Sequence, residues 1–117
     1  MKTILFAVIA ITLFSSTAKD KLTGRWESIS ATGNVTGVVF KEDNTFEGYI
    51  NKKPFVSGFY TLRDSTFTME DNGCMSLVGT YKLLFFNNDD SLRLELIEDP
   101  CTGRGQGTNG RVFGRVK

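Results

Sequence analysis

From Arg25 to the end of the chain, apolar and polar residues alternate in short bursts, and no apolar stripe of helical period runs through them. The first burst, Arg25 to Ser30, centres on Trp26. Val35 to Lys41 aligns Val38 with Phe40, and Thr45 to Ile50 aligns Phe46, Gly48 and Ile50. Val56 to Arg63 alternates Val56, Gly58, Tyr60 and Leu62, and Thr66 to Glu70 turns Phe67 and Met69 to one face and threonines to the other. Gly79 to Phe86 carries Tyr81, Leu83 and Phe85; Leu92 to Ile97 repeats Leu92, Leu94 and Leu96; Arg111 to Val116 is the last burst. Turn residues punctuate them at Glu42-Asp43-Asn44, Asp64-Ser65 and Asn87 to Asp90.

This pattern predicts a small all-β protein of eight antiparallel strands. Most connections are of hairpin length, whereas a Greek key needs a long crossing connection, so an up-and-down barrel is favoured over a sandwich. Closure also removes the sheet edges that template aggregation. Asn51 to Phe55, Asp71 to Val78 and Glu98 to Gly110 are expected to be loops at the barrel mouths.

The start of the chain reads differently. Lys2, an apolar run from Ile4 to Phe14, and the small residues Ser16-Thr17-Ala18 have the form of a secretion signal over residues 1–18, cleaved near Ala18. The run is too short to span a bilayer, which takes about 20 apolar residues, so no membrane span is expected. Residues 19–117 then form one exported domain, secreted or periplasmic and expected to be a monomer. Without Lys2 the 14 basic and 13 acidic residues balance. No basic stretch suits nucleic acid or an anionic membrane.

Export changes the meaning of Cys74 and Cys101, the only cysteines. In an oxidising compartment an isolated pair reads as a disulfide. They flank the hairpin formed by Gly79 to Phe86 and Leu92 to Ile97, so a bridge would pinch together the loops at its open end. With no histidine in the chain and no C-x-x-C spacing, a metal site, a cofactor or thiol redox chemistry is not expected.

Gly24-Arg25-Trp26 opens the folded part. Gly24 permits close backbone approach, and Trp26 points inward to plug one barrel end. Arg111 and Arg115 flank Phe113 on one face of the last strand. In a closed barrel the first and last strands are neighbours, so a guanidinium there can lie across the indole in a cation–π contact.

These features resemble the lipocalins and their calycin relatives: a G-x-W opening on the first strand, a terminal Arg115, and later G-x-Y strands at Gly58-Phe59-Tyr60 and Gly79-Thr80-Tyr81. The resemblance covers Leu22 to Lys117. It implies a lipocalin-like barrel that binds a small apolar ligand in its interior, at Trp26, Phe40, Phe46, Tyr60, Phe67, Met69, Tyr81 and Phe85, with Gly24, Trp26 and Arg115 as structural residues. The chain is shorter than a typical lipocalin, lacks the T-D-Y loop motif and shows no helix after the barrel. A single tryptophan argues against the several-tryptophan biotin pocket of avidins.

An eight-stranded interior can be filled by side chains or hold one small ligand. The inward residues are large, which favours a filled core, while Gly48 and Gly58 mark where a shallow pocket could open beside Tyr60. Two functions stay open: a carrier of a small hydrophobic ligand, or a rigid scaffold presenting its loops to a protein partner. Enzymatic activity is not expected. General-base work would fall to Asp, Glu, Lys or Tyr, and Asp64, Glu70 and Asp71 read as solvated turn positions. Gly105 to Gly110 fits G-x-G-x-x-G, but it is not followed by a helix and reads as a flexible loop, with Arg104 and Arg111 on either side able to touch an anion. Asn34-Val35-Thr36 is a glycosylation sequon, meaningful only in a eukaryotic source.

Overall fold

In the computed structural model, which describes residues 18–117, a short helix α1 (Ala18–Leu22) leads into eight strands. These are β1 (Gly24–Ile29), β2 (Val35–Phe40), β3 (Thr45–Ile50), β4 (Lys53–Arg63), β5 (Thr66–Asp71), β6 (Gly79–Phe86), β7 (Ser91–Glu98) and β8 (Val112–Arg115). A single 3-10 turn, Asn72–Cys74, follows β5, and a second helix, α2 (Thr102–Thr108), follows β7. The secretion signal predicted for residues 1–18 lies outside the described residues except for Ala18.

Each strand pairs antiparallel with its chain neighbours, and β1 pairs with β8, so the sheet closes into an up-and-down barrel. Trp26 stands opposite Arg115 across that seam, and the Val116 amide donates to the Arg25 carbonyl at 2.9 Å. Closure leaves no strand edge in the barrel without a partner.

The hairpins are made by residues that tolerate left-handed backbone. Asn44, Asp64, and the run Asn87, Asn88 and Asp89 all have positive φ, which Asn and Asp adopt more readily than other residues with a side chain. Asn51 and Lys52 also have φ of 50° and 72°, forming a two-residue hairpin of the kind that needs both central residues left-handed. The expected loop from Asn51 to Phe55 is therefore only this turn, and β4 starts at Lys53. The register shift after Gly48, which sets Val56 against Gly48 and Pro54 against Tyr49, absorbs Phe55 as an extra residue. A bulge is one of the few places where proline fits within a sheet.

The second departure is α2. Thr102-Gly103-Arg104-Gly105-Gln106-Gly107-Thr108 is poor helical sequence, since each glycine costs about 1 kcal/mol against alanine. Tertiary contacts override that preference. Gly105 is buried where an added Cβ would lie 3.3 Å from Asp99 and 3.6 Å from Leu96. Arg104 and Cys101 fasten the start of the helix. The segment expected to be a flexible loop is thus a lid-like helix packed on β7.

The closed end is built as the G-x-W stretch suggested. Gly24 has φ of 129°, a conformation that side chains disfavour. Trp26 is fully buried beside Leu22 and Phe85, and its indole N–H donates to the Leu22 carbonyl at 2.8 Å. The Arg115 guanidinium lies over the indole at 4.3 Å from the ring centre and donates to the carbonyls of Lys21 and Asp89. One cation therefore joins α1, β1, the β6–β7 turn and β8.

On the outer face, Tyr49 reaches across Gly37 to donate to Glu27 at 2.5 Å, while Arg25 lies over its ring. Burial, followed by the hydrogen bond and charge of Glu27, pushes the Tyr49 hydroxyl up to about 12. An ordinary tyrosine ionises near 10. Because the folded value is the higher one, the Tyr49 contribution to stability is complete below about pH 10 and disappears as pH rises to about 12. Urea unfolding across that window should show a steeper alkaline loss in the native chain than in Tyr49→Phe.

Candidate functional site

Along the inward face, residue size falls with height in the barrel. The lower half holds aromatic rings. Phe40 packs edge-on to Tyr60 at 4.9 Å and to Phe67 at 5.7 Å, and Phe46 sits beside it. Higher up, the inward positions are Thr36, Val38, Gly48, Val56 and Met69, which are mostly smaller. The result is a cavity of about 460 Å³ in the upper half, open toward the mouth. That is within the usual range for small-molecule pockets, about 300–1,000 Å³. The expectation of a filled core is overturned: large side chains are concentrated at one end and leave the other end unfilled.

Phe40, Phe46, Phe67, Leu92, Leu94 and Phe113 form the floor of this cavity. Val38, Gly48, Val56 and Met69 contribute walls, and both cysteines lie at its rim. Of the eight expected ligand-contacting residues, Phe40, Phe46, Phe67 and Met69 line the cavity; Trp26, Tyr60, Tyr81 and Phe85 do not. Trp26 and Phe85 lie below the floor at the closed end. Tyr60 is below it too, its hydroxyl donated to the Lys41 carbonyl at 2.7 Å. Tyr81 is buried on the β6 side, and its hydroxyl is donated to Asp99.

The two glycines in question divide. Gly48 lines the cavity, as an inward glycine can. Gly58 does not, and opens no pocket beside Tyr60. An added Cβ there would lie 1.9 Å from the Glu70 carbonyl oxygen, so the glycine serves the close approach of β4 to β5. It borders instead an outer depression of about 390 Å³ with Glu47, Ser57 and Glu70.

Above the cavity, Gly103 and Gly107 of α2, one helical turn apart, stand among the residues that line its mouth, and a Cβ at either would meet nothing within 4 Å. The helix roofs part of the mouth without filling it. Cys74 and Cys101 form a disulfide with their Cα atoms 5.9 Å apart, which ties the 3-10 turn to the start of α2. Closing a loop with a sequence separation of 27 contributes about 3–4 kcal/mol by the chain-entropy argument.

Beside the disulfide is a charged group that alternation alone did not reveal. Arg104 donates to Asp99 at 2.7 Å through Nε and at 2.9 Å through Nη2, pairs with Asp71 at 3.3 Å, and donates to the Leu77 carbonyl at 2.7 Å. Its side chain is only 7% exposed, against 3% for Asp71 and 0% for Asp99. Asp71 is thus a buried ion-pair partner rather than the solvated turn residue expected, because Arg104 folds down onto it. Burial pushes the Asp99 carboxyl up, but hydrogen bonds from Arg104 and Tyr81 outweigh it and hold the group below the usual carboxylate range. Burial and the adjacent Asp99 both push the Tyr81 hydroxyl up.

No protein-family model matches the chain, and no curated protein is similar to it in sequence. The closed eight-stranded barrel is compatible with a calycin-like fold, and what the cavity does has to be argued from its own chemistry. That chemistry is apolar on the floor and walls. Three charged residues line the mouth: Asp71, Arg104 and Arg111. Among the described residues no cluster of His, Cys, Asp and Glu could hold a metal ion.

Proposed function

We propose that the protein is a lipocalin-like carrier that binds a small apolar molecule in the upper half of its barrel. The observation that carries this reading is the apolar cavity of about 460 Å³ above the aromatic floor. Filling it with a ligand returns the hydrophobic burial that the missing side chains would have contributed, at about 0.8 kcal/mol per methylene. The disulfide at its rim suits an oxidising compartment, consistent with a secreted or periplasmic carrier. A binding role is favoured over catalysis because the acid–base candidates at this end of the barrel are already engaged. Arg104 is held by Asp71 and Asp99, and Tyr81 keeps its proton while donating a hydrogen bond to Asp99, so it is not available as a base.

The test is a titration with N-phenylnaphthylamine, which fluoresces when it enters an apolar site. Saturable binding by the native chain is expected, and a flat titration would refute the carrier reading. Gly103→Leu supplies the control, because its new side chain extends from α2 into open space and raises helix propensity. It should weaken dye binding by at least about tenfold, equivalent to about two displaced methylenes, with no loss of thermal stability.

A second reading, a scaffold that presents its loops to a protein, has one observation in its favour. Ile29, Phe55 and Met75 stand exposed around the mouth, Met75 at 90%. A protein working through that rim alone would leave the dye titration flat.

A further inference from the structure

Three arginines approach the barrel ends, and two are fully engaged. Arg115 is held by the Lys21 and Asp89 carbonyls, by Asp90 and by the indole. Arg104 is held by two carboxylates and the Leu77 carbonyl. Arg111 is different. It precedes Phe113 by two residues, on the same inward phase, and lines the cavity in a half-buried position. Its Nε donates to the Gly107 carbonyl at 2.9 Å, which fixes the stem, and among the described residues it enters no ion pair. Asp71, the carboxylate that also lines the cavity, is not free to serve it. One Asp71 oxygen accepts from the Gly73 amide at 2.9 Å and the other pairs with Arg104.

The chamber is therefore apolar along its depth and ends at a positioned guanidinium with donors to spare. We infer that its ligand is a single-chain amphiphile with an anionic head, the tail lying on the aromatic floor and a carboxylate meeting the terminal nitrogens of Arg111. This rests on the carrier reading above. A guanidinium presents five N–H donors, and only the Nε one is committed here. Its planar fork matches a carboxylate in a two-point contact, which an alcohol cannot reproduce. At a half-buried mouth the lower end of charge-assisted hydrogen-bond strength applies, so the anionic head gains about tenfold in affinity over a neutral one.

The experiment is calorimetric titration of the oxidised protein with three ligands of equal tail: decanoate, decanol and decyltrimethylammonium. Decanoate should bind about tenfold tighter than decanol, with the cation weakest, and salt should narrow the gap by screening. In Arg111→Gln the ratio of decanoate to decanol affinity should fall close to one, and Arg111→Lys should recover part of it. Equal binding of decanoate and decanol by the native chain, or a ratio that survives in Arg111→Gln, overturns the head-group assignment while leaving the cavity as an apolar site. Failure of every one of the three to bind overturns the carrier reading, and this inference with it.

Discussion

Trp26→Ala should lower the free energy of unfolding by about 3–5 kcal/mol, the usual cost of removing a fully buried aromatic side chain. A domain of this size has about 5–15 kcal/mol in total, so this one substitution should bring the chain near the edge of folding. The loss has three parts. The cavity left beside Leu22 and Phe85 cannot collapse easily, because a closed barrel fixes its walls on all sides. The Leu22 carbonyl loses its indole donor. Arg115 loses the ring it covers, a contact worth about 0.5–2 kcal/mol. Urea unfolding followed by far-ultraviolet circular dichroism measures the total, since the chain's only tryptophan disappears with the substitution. A loss under about 1 kcal/mol would mean that the closed end does not depend on its plug. A double-mutant cycle with Arg115→Met isolates the ring–cation part.

The second large effect lies at the other end. Arg104→Met should cost about 3–5 kcal/mol near neutral pH, because it leaves the Asp71 and Asp99 carboxylates buried without their cation. The pH dependence separates this from a packing defect. In the native chain the Asp99 carboxyl is held below its ordinary value, so its contribution is present above about pH 4 and is lost as pH falls below that. Without Arg104, burial is no longer opposed by a cation, and protonation relieves the variant. The gap between native and variant should therefore be widest near pH 7 and shrink toward about pH 4. A gap of constant size across that range would show that lost packing, not unpaired charge, is responsible.

The barrel was legible in the sequence because its information is local. Period-two alternation gives each strand and its inward face, and Asn and Asp mark the hairpins. The ring closure followed from the near absence of long connections, and the Trp26–Arg115 contact followed from closure. What was not legible depends on contacts between distant parts of the chain. Arg104 finds Asp71 across 33 positions, and neither residue carries a local sign of burial. Helix α2 forms against the propensity of its glycines, so only its packing on Asp99 and Leu96 explains it. The cavity lies between these cases. Alternation placed Phe40, Phe46, Phe67 and Met69 on the inward face, where they line it, but whether inward residues fill the interior depends on the level at which each one stands. The aromatic rings of Phe40, Phe46 and Phe67 share one level, and the smaller Thr36, Val38 and Gly48 share another. That grading could have been found by aligning the strands in register rather than comparing their total bulk.

The seam between β1 and β8 also decides which way the molecule faces when something holds it. The chain enters the barrel at Gly24 and leaves it after Arg115, both on the plugged side. A tag, bead or surface coupled at Lys117 would therefore grip the base and leave the open mouth pointing outward, so dye binding by the immobilised protein should match that in free solution.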